Sequence, residues 1–270
     1  MSDLVLVSTT NRVSTLRFNN PKRLNGWTLA MQDAMRSALD RAAEDNEVDS
    51  VIVTGTGKYY SAGVDLGGSF RLGHPRELRA MIFERNRALF DLFIEYPKPM
   101  VAAVNGRAIG APVTTSALCD RLVASEQASF LTPFAKVGLP AEGCSSVQFP
   151  RIMGEEAARR MLGEEGYEPS AAEAKELGLV HSVVREEELL AEAQRVAESL
   201  AGKSREFRAG ATREELLRIN EAESHRVADG FLSSAFLMNQ FNFMRSRKKT
   251  GPALTFLALR LTRPAWALLL

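Results

Sequence analysis

Three short stretches combine residue types that can do chemistry at a small-molecule site. The first is Gly55-Thr56-Gly57-Lys58-Tyr59-Tyr60-Ser61-Ala62-Gly63-Val64-Asp65-Leu66. It follows an apolar run, and α/β proteins bind ligands beyond the carboxyl ends of such strands. Its glycines allow positive φ and close approach of the backbone. It is not a phosphate loop, because Lys58 follows the second glycine too soon and no Ser or Thr comes next, and it lacks the third glycine of a dinucleotide fingerprint. A ligand loop and an ordinary glycine-rich turn both fit. The second stretch is Asn105-Gly106-Arg107-Ala108-Ile109-Gly110-Ala111-Pro112-Val113-Thr114. Pro112 suits the first turn of a helix. The N–H of Ala111 then lies at a helix start, where free amides favour negative charge. A plain glycine-capped helix has the same pattern. The third stretch runs from Thr132-Pro133-Phe134 through Pro140-Ala141-Glu142-Gly143-Cys144-Ser145-Ser146. Glu142 there fits either a helix-start carboxylate or a catalytic base in a tight turn.

Other arrangements carry less. No Gly-x-Ser-x-Gly elbow makes Ser61, Ser145 or Ser146 a nucleophile. Cys144 has no evident histidine partner and reads as a packing residue. The basic cluster at 245–249, with Lys248 and Lys249, fits a solvated helix end or a phosphate contact.

Elements of two kinds must position these stretches. Residues 4–7 and 13–18 read as short strands, and 51–54, 100–104 and 122–124 as apolar strands of the type buried on both faces. Residues 28–44 form an amphipathic helix with Met31, Met35, Ala38, Leu39 and Ala42 on one stripe. A second long helix spans 76–96 and ends at Pro97-Lys98-Pro99. From about residue 155 the strands fade, and 155–162, 171–177, 186–200 and much of 216–247 read as helical. This order predicts an α/β core with a helical C-terminal region. It divides the chain into a core over 1–200, a helical region over 201–250 and a tail over 251–270. The run from Phe231 to Phe243 is too apolar for an exposed helix and predicts assembly through the C-terminal helices.

Composition excludes several classes. The 34 basic and 33 acidic residues leave a net charge of +1, which argues against a broad surface for nucleic acid or anionic membrane. Two cysteines make no disulfide framework and fit a reducing compartment. Three scattered histidines lack metal-ligand spacing. The N-terminus does not read as a signal peptide. Arg260, Arg263 and Pro264 interrupt the apolar stretch 252–270, so no membrane span is expected and the tail reads as packed or covered by a partner. The final Leu-Leu-Leu is not the simple peroxisomal tripeptide.

The three stretches, in this order, resemble the crotonase (enoyl-CoA hydratase/isomerase) superfamily. Further anchors are Asn20-Pro21-Lys22-Arg23-Leu24-Asn25, Pro97-Lys98-Pro99, Val104-Asn105-Gly106 and Cys119-Asp120. The resemblance implies a spiral of ββα units, a helical trimerisation region and an acyl-CoA substrate, with no metal or other cofactor. It also implies that the backbone amides of Val64 and Ala111 form an oxyanion hole for the thioester oxygen. Thr132-Pro133-Phe134, Pro140, Glu142 to Ser146 and Phe149 to Gly154 look most like the peroxisomal-type Δ3,Δ2-enoyl-CoA isomerases. Hydratases of the family carry glutamates where this chain has Thr114 and Phe134; the isomerase base falls at Glu142. The expected activity is therefore 3-enoyl-CoA to trans-2-enoyl-CoA isomerisation in fatty-acid oxidation. The alternatives are a hydratase or another CoA-enolate enzyme, and a non-catalytic acyl-CoA-binding scaffold. The expected binding residues are Lys22 and Arg23, Ala62, Gly63, Asp65 and Leu66, Phe134, and Lys248 or Lys249 for phosphate. A homotrimer or dimer of trimers, cytoplasmic or peroxisomal, completes the expectation.

Overall fold

Unbroken apolar runs form the middle of the main sheet. The computed structural model describes residues 3–65 and 73–270. The chain begins with β1 (Val5–Thr10), β2 (Val13–Phe18) and α1 (Leu29–Glu44), followed by β3 (Ser50–Gly55) and β4 (Tyr59–Ser61). Next come α2 (Pro75–Ile94), β5 (Met100–Val104), β6 (Arg107–Ile109) and α3 (Ala111–Ala117). β7 (Arg121–Ser125) and β8 (Phe130–Leu131) precede α4 (Phe134–Val137), α5 (Ser145–Met153), α6 (Glu155–Leu162) and α7 (Ala171–Glu176). After β9 (Ser182–Val184) come four long helices: α8 (Leu189–Ser199), α9 (Arg213–Phe231), α10 (Ser234–Ser246) and α11 (Thr250–Trp266).

The main sheet has the order β1-β2-β3-β5-β7-β9, and a small sheet has the order β4-β6-β8. Only β1 and β2 pair antiparallel in the main sheet; every other pair is parallel. Each of β3, β5 and β7 is followed at once by a strand of the small sheet. That alternation gives the ββα spiral that the resemblance implied. β3 and β5 are buried along their whole length, as both-face burial of a parallel strand requires.

Two buried asparagines tie the spiral's inner loops. Asn25 Nδ2 donates to the carbonyls of Thr56 and Tyr59 at 3.0 and 2.8 Å. Asn105 Oδ1 accepts from the Gly55 amide at 2.9 Å, and its Nδ2 donates to the Gly57 carbonyl at 2.6 Å. Side-chain amides thus satisfy loop carbonyls that no strand reaches.

The structure departs from the sequence reading in several elements. β4, β6 and β8 have only two or three residues each, too few to show a period. β9 extends the main sheet beyond the point where strands were expected to fade, by pairing with β7. The stretch 186–200 opens as a 3-10 turn at Glu186–Glu188 before α8 begins. The helical pattern of 216–247 is two helices, with Ser233 capping the second through the Phe236 amide. The tail is mostly the helix α11, packed on α10, with Pro264 inside its last turn. Among the described residues, no helix is long and apolar enough to cross a membrane.

Candidate active site

Two turns of the spiral deliver backbone amides to one cavity. β4 and β6 pair in parallel, with Ser61 opposite Ala108, so the turns that follow them emerge side by side. Gly63, at φ +89°, fits there because it has no side chain: a Cβ would lie 2.6 Å from the Ile109 carbonyl oxygen. Ser61 Oγ donates to the Asn25 carbonyl at 2.7 Å and accepts from the Gly63 amide at 3.2 Å, so this serine shapes the turn. The turn is also clamped onto the preceding segment. Ala62 N–H donates to Leu24, Trp27 N–H to Gly63 and Asp65 N–H to Trp27. Ala111 opens α3 behind Gly110, whose amide donates to Leu131. Among the described residues, neither the Val64 nor the Ala111 amide has a hydrogen-bond acceptor within the protein. Both residues line the cavity.

Glu142 enters the same cavity from the turn before α5. Gly143, at φ +66°, lets this turn press against α2 and α3. A Cβ there would lie 2.4 Å from Phe90 Cε1 and 2.6 Å from Thr114 Oγ1. Ser145 Oγ donates to the Glu142 carbonyl at 2.7 Å. The helix-start role that the sequence left open for Glu142 belongs instead to Glu223 of α9. Its carboxylate accepts from the amides of Cys144 and Ser146, at 2.6 and 2.9 Å. Glu142 is thereby free of capping duty, and its side chain faces the cavity.

Among the described residues, one hydrogen bond orients the Glu142 carboxylate. Asn86 Nδ2 donates to Glu142 Oε2 at 2.8 Å. Asn86 Oδ1 accepts from Ser224 Oγ at 2.9 Å, which fixes the direction of the amide. Asn220 continues the network, donating to Asp91 Oδ1 at 2.8 Å. Burial pushes the Glu142 carboxyl up to about 7; the Asn86 bond opposes this, and the nearby charge of Glu223 adds to it. A carboxylate with that value accepts and returns a proton near neutral pH.

The cavity holds about 270 Å³. Ala62, Gly63, Val64, Ala111, Phe134 and Glu142, all singled out in the sequence, line it together. Met81, Ile82, Leu139 and Phe231 make much of the remaining wall apolar. Glu142 is the one carboxylate among the described lining residues. Thr114 is buried behind the wall, with its hydroxyl donated to the Ala111 carbonyl at 3.1 Å.

Lys22 and Arg23 are exposed in the 3-10 turn Pro21–Arg23, two residues or fewer before the carbonyl that holds Ala62. Asp65 lies on the clamped turn, outside the lining. Lys248 and Lys249 are exposed at the corner between α10 and α11. Leu66 lies outside the described residues.

The sequence reading missed Asn86, Glu223 and Ser224. A signal for them exists. Asn86 falls on the buried stripe of α2 with Leu89, Phe90 and Phe93, and Glu223 on that of α9 with Leu216, Asn220 and Val227. A polar or charged residue within an apolar stripe needs a partner.

Comparisons with known proteins agree with this architecture. The sequence model of a family described as enoyl-CoA hydratase/isomerase matches residues 8–227. The peroxisomal enoyl-CoA delta isomerase 3 of Mus musculus is 39% identical over 183 residues, 67% of this chain and 57% of the relative. Enoyl-CoA delta isomerase 2 of Rattus norvegicus is 38% identical over 186 residues, 67% of this chain and 46% of the relative. The chain thus spans about half the length of these two isomerases. The mitochondrial enoyl-CoA hydratase domain-containing protein 3 of Rattus norvegicus is 31% identical over 258 residues, 94% of this chain and 81% of that one. A crystal structure of an enoyl-CoA hydratase/isomerase from Pseudoalteromonas atlantica superposes with a TM-score of 0.77 at 29% identity, over 90% of this chain and 97% of that one.

Proposed function

The chain belongs to the enoyl-CoA hydratase/isomerase family, and from that premise we propose that it converts 3-enoyl-CoA to trans-2-enoyl-CoA with Glu142 as the proton shuttle. The observation that carries this reading is the lone carboxylate of the described cavity wall. Glu142 removes a proton from C2, and the electron pair delocalises onto the thioester oxygen. The N–H groups of Val64 and Ala111 stabilise that oxyanion; in comparable sites each such donor contributes roughly 3–4 kcal/mol. The enolate collapses with the double bond at C2–C3, and the same carboxyl group returns its proton to C4. One base suffices if both carbons lie within its reach. Phe134 and the other apolar residues of the wall keep water away from the enolate.

In the same reading, Lys22 and Arg23 hold the CoA phosphates, and Lys248 or Lys249 assists. The unit is a homotrimer built through the C-terminal helices, the work belongs to fatty-acid oxidation, and its compartment is the cytoplasm or the peroxisome. The core over 1–200 carries most of the acyl-CoA site, with Phe231 of the helical region in its wall, and the C-terminal helices carry the assembly surface. No metal or redox group enters the chemistry; CoA is part of the substrate.

Hydration is the second reading, favoured by the hydratase-named relative that matches 94% of this chain. Neither Thr114 nor Phe134 can take a proton from water near neutral pH. The test is incubation of the purified protein with a 3-enoyl-CoA. Rapid appearance of conjugated 2-enoyl-CoA, with much slower loss to 3-hydroxyacyl-CoA, is expected. Hydration at a rate matching isomerisation would put the hydratase first.

A further inference from the structure

Glu223 is a carboxylate with no exposed surface, deep in the stripe that α9 turns toward the core. A buried charge is tolerated only when it is paired or hydrogen-bonded. Its partners are the amides of Cys144 and Ser146, the two sides of the first turn of α5. The Glu142 carbonyl is bound to that same turn through the Ser145 hydroxyl and amide, at 2.7 and 3.3 Å. The next residue of α9, Ser224, fixes the amide of Asn86 from the other side. One turn of α9 therefore holds both the backbone that presents Glu142 and the side chain that orients it.

We infer that Glu223 is a positioning residue for Glu142: its carboxylate pins the first turn of α5, to which the Glu142 carbonyl is bound. This rests on the proposed role of Glu142 as the proton shuttle. Burial raises the pKa of Glu223, and the hydrogen bonds from Ser146 and Cys144 oppose this by favouring its ionised form. The groups that face it are few. Arg226 on its own helix stabilises the charge. On the α5 side are Glu142 and the Cys144 thiol, whose pKa burial raises first and the charge of Glu223 raises further. Asp91 of α2 also acts on that thiol. An ionised Glu223 disfavours a second negative charge on Glu142, so the base keeps its affinity for the C2 proton.

Two variants test this, read by the pH dependence of kcat/KM and by a 13C carboxylate titration of Glu-labelled protein. The Glu142 signal is assigned from Glu142→Gln. In Glu223→Gln the charge is gone, and one amide of the turn faces an NH2 group instead of an oxygen. The acid limb and the Glu142 titration should both move down by roughly half a unit or more. In Glu223→Asp the charge stays but the carboxylate retracts by one methylene. There the titration should remain in place, while kcat falls about tenfold or more with KM within about threefold. A folded Glu223→Gln with an unmoved Glu142 titration overturns the inference. If Glu223→Gln does not fold, Glu223→Asp decides: kcat within about twofold of wild type overturns it. A wild-type protein without isomerase turnover would sink the proposed function, and the carboxylate titration would still decide this point.

Discussion

Replacing Glu142 with Gln keeps the shape of the side chain and removes its ability to take a proton. Isomerisation should fall by about 10²–10⁴-fold, with acyl-CoA affinity close to wild type by calorimetry. Stability should respond in the opposite sense. Burial lifts the folded-state value from 4.5 to about 7, so the folded protein holds this proton more tightly than the unfolded chain does. The stability tied to that proton is full below about pH 4.5 and lost as pH rises through 7. Glu142→Gln should therefore melt a few degrees higher than wild type at pH 8, a gap that closes toward pH 4.5. Asn86 acts on the same group with the opposite sign to burial. Its N–H favours the ionised carboxylate, so Asn86→Ala should move the acid limb of kcat/KM upward and lower activity at pH 7. An acid limb that moves down or stays put would remove Asn86 from the site. At this scale the sequence was readable where a residue sat in a distinctive string, as Glu142 does between Pro140 and Gly143. Asn86 and Ser224 sit in ordinary helical text, and only the fold brings them within 2.9 Å of each other.

Elements with a long period were readable, and short ones were not. The stripe of α1 shows in the sequence because sixteen residues repeat it more than four times. β8 has two residues and is a strand only because β6 lies beside it. The segment linking α8 to α9 has no period at all, yet one of its side chains is among the most deeply placed charges. Arg205 pairs with Asp120 at 3.0 Å, and both side chains are 2% exposed. Arg205 also donates to the carbonyls of Leu118 and Phe93, and Asp120 accepts from the amides of Met100 and Glu206. Both oxygens of Asp120 and all three nitrogens of Arg205 are thus hydrogen-bonded, which offsets the cost of burying the pair. Arg205→Ala strands Asp120 in the interior and should cost about 3–5 kcal/mol in urea unfolding. A loss under about 1 kcal/mol would mean that water reaches the pair.

The molecule as a whole carries apolar surface at its C-terminal end. Leu254 and Leu261 of α11 are 62% and 67% exposed, and Phe243 of α10 is 51% exposed. Such residues clustered on one helical hairpin fit an association surface. Light scattering at micromolar concentration should report more than one chain, and Leu254→Glu with Leu261→Glu should shift the mass downward. A wild-type monomer with full activity would rule assembly out as a requirement. The same end of the chain sets an order on biosynthesis. The spiral that carries Val64, Ala111 and Glu142 is complete by β9, but Glu223 and Ser224 leave the ribosome some forty residues later. At about 5–20 residues per second, the turns of Val64, Ala111 and Glu142 exist for several seconds before Glu223 can brace α5 and Phe231 can complete the cavity wall. A chain cut short in that interval would carry those turns without the α9 residues that hold the start of α5, orient Asn86 and close the wall.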